Sequence, residues 1–492
     1  MDIDIVWKPL WDIFAFLFRH LLIINCLLSI VIIFFQRKNP SSVWTWLLLL
    51  YFIPVVGFIF YLLIGGDMHK SRMFHTKEVE DQLHEAIRSQ EASIRAQVFQ
   101  EESPHLKKYS DLIYYNLESA GAMLTDNNRV RIFTDGNEKF NALVEDMKQA
   151  REFIHIQYYI IKNDVLFQRI SEVLIQKARE GVEIRILCDG MGGRFVSKRC
   201  WKKLHDCGIH MAVFFPPLLG PLNLRINYRN HRKIVVIDGL IGYVGGFNIG
   251  KEYIGLDDKF GYWRDTHLRM EGACVSDLQM RFILDWNYAA RSNLLNEEER
   301  YFRLPEEKLG SSQIQIISSG PDSNLQNVRN NYLRLINKAE KSIYIQTPYF
   351  IPDEAIYSAL IVAAWSGVEV NIMIPCKPDH PFVYWATYSY IGDLVMAGAR
   401  CYTYNNGFLH AKGLIVDEQV LCYGTANMDI RSFKLNFEVN AVVYDEREAE
   451  KMVEEFRKDL QVCTWITKDL YVSRGILIRF KEQICRLLSP LL

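Results

Sequence analysis

Most of this sequence is written twice, and that repetition limits the folds open to it more than any other feature. One block runs Phe153-Ile154-His155-Ile156-Gln157-Tyr158-Tyr159, the other Ser342-Ile343-Tyr344-Ile345-Gln346-Thr347-Pro348-Tyr349. Alternation and β-branched or aromatic content predict a strand in each. A helical stretch precedes each, carrying Lys148-Gln149-Ala150 or Lys338-Ala339-Glu340, and a helix ending in Gly-Val-Glu follows each, at 181–183 and 367–369. A second apolar strand comes next, at 184–187 and 370–374. Four elements in the same order predict two α/β domains related by a pseudo-twofold axis, with mixed, largely parallel sheets.

The repeat carries a second, chemical repeat. The first copy is His231-Arg232-Lys233-Ile234-Val235-Val236-Ile237-Asp238, followed by Gly245, Gly246 and Asn248. The second is His410-Ala411-Lys412-Gly413-Leu414-Ile415-Val416-Asp417, followed by Gly424, Thr425 and Asn427. Both read His-x-Lys-x4-Asp with a Gly-x-x-Asn tail. On a strand, positions i and i+2 share a face, so each histidine projects beside its lysine. Such a pair on an apolar strand is costly unless an anion meets it. A phosphate fits: lysines balance its charge, Asn248 and Asn427 donate hydrogen bonds, and glycines let backbone approach. Two histidines then divide the work, one attacking phosphorus and one moving the proton of the alcohol. Each imidazole needs a partner to fix its tautomer. Asp265 in Trp263-Arg264-Asp265 and Glu438 in Asn436-Phe437-Glu438 are the candidates. A single His-x-Lys would read as a solvated strand end; two copies inside a matching repeat do not.

Before the repeat lie two apolar runs. Residues 21–35 and 43–66 hold no charge, and Gln36-Arg37-Lys38-Asn39-Pro40-Ser41 makes a polar turn between them. The second run is long enough for a hydrocarbon core of about 30 Å, begins with Trp44 and Trp46, and contains Pro54. Asp2 and Asp4 argue against a cleaved signal peptide. The expected organisation is a transmembrane hairpin at 1–68, a charged helical linker at 69–124, and the two repeated α/β domains at 125–305 and 306–492. Lys8, Lys70, Arg72 and Lys77 outnumber Arg37 and Lys38, which places the large domain in the cytoplasm. Ten scattered cysteines without C-x-x-C spacing agree with reduced thiols. The formal net charge of −1 gives no broad attraction to nucleic acid. No metal site, nucleotide-binding loop or other cofactor is expected, because exchanging one phosphodiester for another is nearly balanced and lysines supply the charge.

These residues resemble the phospholipase D superfamily, whose signature is this doubled motif; the likeness spans about residues 125–492. The hairpin, Trp263-Arg264-Asp265-Thr266-His267 and the terminal Leu487-Leu488-Ser489-Pro490 resemble bacterial cardiolipin synthases more narrowly. That resemblance implies transfer of a phosphatidyl group from one phosphatidylglycerol to another, at a bacterial cytoplasmic membrane, with no nucleic-acid partner. It implies His231, Lys233, His410 and Lys412 around the phosphate, Asp238 and Asp417 supporting the fold, and His231 as nucleophile. Residues alone do not separate the two histidines. The tail from 476 to 492 is amphipathic: it lies on the membrane surface or packs on the domain. An apolar, Pro-rich loop at 214–222 is expected to dip into the interface. Competing readings are a phospholipid hydrolase, a transferase to another alcohol, a nuclease and a non-catalytic scaffold.

Overall fold

The computed structural model describes residues 15–16, 20–21, 23–30, 32–33, 40–61, 104–216, 228–290, 293–296, 298–323, 325–377, 379–487 and 489. The expected linker from 69 to 103, loop residues 217–222 and the last residues of the tail lie outside these. The chain divides into two compact units, one of residues 1–75 with 217–228 and one of the remainder.

In the first unit the second apolar run forms helices Pro40–Phe52 and Pro54–Phe60. Proline has no N–H, so Pro54 leaves the Leu50 carbonyl without its helical donor. The buried Asn25 amide, from the first run, donates to Leu50 O at 3.0 Å and Pro54 O at 3.2 Å. The two runs are therefore joined at the break. Ile23, Leu27, Ile30, Ile33, Trp44, Leu48, Tyr51 and Phe52 are all exposed. Among the described residues no helix is long and apolar enough to cross a membrane.

The second unit holds both copies of the repeat. Its strands are β1 (Thr125–Asp135), β2 (Phe153–Tyr158), β3 (Glu183–Asp189), β4 (His210–Phe214), β5 (Arg229–Asn230), β6 (Ile234–Ile237), β7 (Ile241–Gly245) and β8 (Trp263–Glu271) in the first half. The second half has β9 (Ser312–Ser319), β10 (Ser342–Gln346), β11 (Phe350–Ile351), β12 (Glu369–Pro375), β13 (Arg400–Tyr404), β14 (Phe408–Leu409), β15 (Gly413–Val416), β16 (Val420–Gly424), β17 (Met428–Asp429), β18 (Asn436–Tyr444) and β19 (Cys463–Ile466). The first sheet runs β4-β3-β2-β6-β7-β8-β1. The second runs β13-β12-β10-β15-β16-β18-β9, with β19 on the β13 edge. In each, three parallel strands continue into antiparallel ones, so the sheets are mixed. β1 also pairs with β9, which joins the two halves.

The Gly-Val-Glu repeats mark the ends of matching helices, Val165–Arg179 and Glu354–Trp365, capped at their starts by Asp164 and Asp353. Gly181 and Gly367 both sit at φ +91, which other residues reach only with strain. Each half has its own core. Residues 104–124, assigned to the linker on charge and helical spacing, fold onto the second half. Helix Ser110–Ala120 buries Leu112, Ile113 and Leu117 against Val328, Tyr332 and Leu335. Asp111 and Glu118 take its exposed side.

The motif aspartates tie each His-x-Lys strand to its neighbour. Asp238 accepts from the backbone N–H of Arg151, Glu152 and Phe153 at 2.7, 2.8 and 2.9 Å. Asp417 does the same for Glu340, Lys341 and Ser342, at 2.7–3.1 Å, and also pairs with Lys108 at 2.6 Å. Burial alone would raise the Asp417 carboxyl; Lys108 and the three N–H groups together hold it below the ordinary carboxylate value. Asp417→Ala strands those donors and Lys108, and should cost about 2–4 kcal/mol. Urea unfolding of the full chain checks this: an unshifted midpoint would show that the turn holds without its carboxylate.

Candidate active site

The two histidines meet because each half lends the other a short strand. β5, just before His231, pairs in parallel with β18 of the second half: Arg229 faces Asn436 and Asn230 faces Phe437. β14, just before His410, pairs in parallel with β8 of the first half: Phe408 faces Trp263 and Leu409 faces Arg264. The next backbone bond continues both ladders. His231 N–H donates to Phe437 O at 2.9 Å, and His410 N–H donates to Arg264 O at 2.7 Å. One residue further on, each partner strand supplies its carboxylate. His231 Nδ1 lies 3.0 Å from Glu438 Oε2, across 207 residues of sequence. His410 Nδ1 lies 2.6 Å from Asp265 Oδ2, across 145 residues. Sequence reasoning named both carboxylates but not their destinations; each serves the histidine of the opposite half.

Both imidazoles line one cavity of about 560 Å³. Asn248, Asn427, Tyr159, Tyr349, Trp263, Arg229 and Arg431 share its wall. Lys233 and Lys412 stand behind the histidines and are fully buried. Lys233 Nζ donates to His231 O at 2.6 Å, and Lys412 Nζ donates to His410 O and lies 2.6 Å from His410 Nδ1. Asn248 is committed inside the protein: its carbonyl accepts from Ile160 N–H at 3.1 Å and its amide donates to Tyr253 Oη at 3.0 Å. The Asn427 backbone N–H donates to Ser432 Oγ at 3.2 Å.

The expectation that the glycines admit a phosphate needs correction. A Cβ on Gly246 would fall 1.9 Å from Asp265 Oδ1, and one on Gly245 or Gly424 would strike the neighbouring strand. These glycines make room for the carboxylate strand rather than for a ligand.

Burial sets the electrostatics. It pushes Lys233 down to about 7 and Lys412 down to about 8, against the pull of Glu438 and Asp265. It also lowers His231, and together with the Lys412 ammonium takes His410 down to about 4. Glu438 and Asp265, although buried, are held below the usual carboxylate value by the cations around them. Two buried lysines poised near neutrality would gain charge beside an anion.

The tautomer of His231 follows from its contacts. Nδ1 faces Glu438 and, at 3.1 Å, Thr425 O, both acceptors. Nδ1 therefore carries the proton, and Nε2 presents a lone pair. At His410, Nδ1 meets both an acceptor, Asp265 Oδ2 at 2.6 Å, and a donor, Lys412 Nζ at 2.6 Å.

Some residues that hold the site escaped sequence reasoning. Arg232, the variable position of the first motif, is buried and pairs with Asp285 at 2.5 Å. It also donates to Glu438 O and Ser319 O, so it ties the halves behind the histidine. Arg264 does the same through Asp459 at 2.8 Å. The available signal was an arginine inside an apolar strand, which is costly without a partner. Tyr159 and Trp263 flank His231 and His410, with ring centroids 5.0 and 5.1 Å away.

This geometry agrees with comparison to known proteins. The family model described as cardiolipin synthase, phospholipase D-like domain, matches residues 143–261 and again 332–460. The major cardiolipin synthase ClsA of Bacillus subtilis is 48% identical over 471 residues, covering 96% of this chain and 98% of that protein. The chain belongs to the phospholipase D-type cardiolipin synthase family. A cardiolipin synthase of Listeria monocytogenes is 46% identical over 479 residues, covering 97% and 99%. The phospholipase D-nuclease N-terminal model matches residues 23–66. Among solved structures, the phosphatidylserine synthase of Haemophilus influenzae aligns over 73% of this chain and 92% of its own, with a TM-score of 0.57 and 15% identity. That likeness shows the shared fold.

In this family member, Gly246→Ala should displace Asp265 and misorient His410. Turnover should fall about 100-fold or more, since an ångström of misplacement has that effect. Steady-state kinetics on the folded variant checks it; parental turnover would mean that Asp265 does not orient His410.

Proposed function

We propose that this protein transfers a phosphatidyl group from one phosphatidylglycerol to the primary hydroxyl of another, releasing glycerol and forming cardiolipin. The observation that carries the reading is that both histidines line one cavity, each held by the opposite half's carboxylate. Family membership narrows the substrate to phospholipid.

His231 is the nucleophile. Its Nε2 lone pair attacks phosphorus, the P–O bond to glycerol breaks, and a phosphatidyl-histidine forms. The shorter carboxylate contact, from Asp265 to His410, favours an imidazolium at His410, which protonates the departing glycerol oxygen. The bound phosphodiester anion, with Asp265, offsets the burial and Lys412 charge that otherwise hold His410 neutral. The second phosphatidylglycerol then places its hydroxyl at His410. That histidine takes its proton, the oxygen attacks phosphorus, and the P–N bond to His231 breaks. Lys233 and Lys412 balance charge on the phosphoryl oxygens from behind. Asn248 and Asn427 line the phosphate's place, with Asn248 acting through the loop it braces. No nucleotide drives the reaction, because one phosphodiester replaces another.

The protein acts at a bacterial cytoplasmic membrane, with its hairpin inserted as a multi-pass anchor and its catalytic domain facing the cytoplasm. Outward-facing apolar side chains on the first unit support insertion. The excess of lysine and arginine at its ends, and ten free cysteines, support the orientation.

Purified protein given labelled phosphatidylglycerol should yield cardiolipin and glycerol. Phosphatidic acid as the main product would instead mark hydrolysis, and cleavage of oligonucleotides would mark a nuclease. His231→Ala and His410→Ala should each lose turnover by several orders of magnitude. Only a chain with His231 intact should trap a labelled, acid-labile phosphoenzyme.

The lysines predict the alkaline limb. A lowered lysine loses its proton as pH rises through its folded value, so phosphate capture weakens above about 7 to 8. kcat/KM should therefore fall in that range, well before an ordinary lysine titrates near 10.4. The limb in kcat should lie higher, because bound anion stabilises the ammonium forms. A flat kcat/KM from pH 7 to 9.5 would contradict the charge-balancing role.

A further inference from the structure

We infer that the helix Ile476–Leu487 is a second membrane contact, one that seats an anionic lipid surface beside the mouth of the catalytic cavity. The inference rests on the reading that the substrate is a bilayer phospholipid. The helix carries Ile476, Leu477, Phe480, Ile484 and Leu487, which are 83, 73, 65, 43 and 71% exposed. At 3.6 residues per turn these five fall within an arc of about 100°. The opposite face, with Glu482 and Cys485, is buried. A helix packed on its domain by one face would ordinarily turn its charged side to water. This one turns its most apolar side outward.

Three observations fix the occupant as a lipid surface. First, cations border the apolar arc: Lys481 on one flank, Arg479 and Arg486 on the other. Arg486 pairs with Asp393 and Arg479 bonds to Val472 O, while Lys481 stands over the Trp385 ring at 5.6 Å. An apolar stripe rimmed by lysine and arginine matches the boundary between acyl chains and anionic headgroups. Second, the helix is seated at the cavity rim. Cys485 packs with Ile351 and Ala386, against Val383. Ile351 and Val383 themselves line the catalytic cavity. Third, the apolar surface continues past the helix. Phe382, next to Val383, is 60% exposed, and Leu470 and Val472 are also exposed. A lipid drawn from a surface at this face reaches the site without its acyl chains crossing water. Both expectations for the tail then hold at once: one face packs on the domain and the other lies on the membrane.

Two measurements on the full chain test this. A photo-crosslinking benzoylphenylalanine in place of Phe480 is irradiated in vesicles containing phosphatidylglycerol. Crosslinks to lipid are expected. Crosslinks to a second copy, to another segment of the same chain, or to nothing would each overturn the inference. The triple variant Ile476→Ser, Leu477→Ser, Phe480→Ser is then compared with the parent on two substrates. Cardiolipin formation in vesicles should drop at least tenfold, while turnover of a short-chain, monomeric phosphatidylglycerol should be retained. Equal activity in vesicles, or equal loss on both substrates, would reject the docking role. Failure of the parent to make any cardiolipin from either substrate would instead reject the catalytic reading.

Discussion

Two backbone hydrogen bonds, from His231 N–H to Phe437 O and from His410 N–H to Arg264 O, fix everything the site does. They complete the exchange in which β5 joins β18 and β14 joins β8. Parallel register then dictates that the next residue on each partner strand, Glu438 or Asp265, stands beside a histidine it did not come with. Neither half can assemble a working histidine–carboxylate pair alone. Phe408 shows the same dependence in packing: it belongs to the second half but is buried in the first half's core with Trp263. The duplicated chain is therefore one catalytic unit, and the seam between copies is where its chemistry is made.

Buried charge also gathers at that seam. Lys233, Lys412, Arg232 and Arg264 are all buried around it. The arginines have full carboxylate partners in Asp285 and Asp459. The motif lysines do not; each leans on a histidine carbonyl and shares the more distant charge of Glu438 and Asp265. Permanently paired cations tie the halves together, and under-paired cations wait for a ligand. The distinction separates structural from functional charge within a few residues of the same strands.

The doubled motif, the two α/β copies and the identity of the two histidines, two lysines and two partner carboxylates were legible in sequence, because strand periodicity is local and the repeat supplies its own control. Three things were not. The crossing of Asp265 and Glu438 depends on pairing between strands 145 and 207 residues apart, and no local pattern encodes it. Gly246 reads in sequence like a phosphate-loop glycine, yet its missing Cβ accommodates a carboxylate. The stretch 104–124 reads as linker because it follows a long charged run, although Leu112, Ile113 and Leu117 recur at positions that a core helix would use. In each case the deciding information was the partner surface, which a single sequence does not display.

The departures from twofold symmetry give the two histidines different surroundings. Where the first copy has Gly246 and Asp265, the second has Thr425 and Glu438, so a short carboxylate faces a glycine and a longer one faces a threonine. Glycine lets Asp265 approach His410 to 2.6 Å. Glu438 stands 3.0 Å from His231, and the backbone carbonyl of Thr425 is a second acceptor on Nδ1. His410 thus has the shorter carboxylate contact, although burial and Lys412 take it down to about 4, and His231 has two acceptors on Nδ1, which leave Nε2 with its lone pair free. Duplication within a single chain lets the pair diverge by one residue on each side while the exchanged strands hold both imidazoles on one cavity.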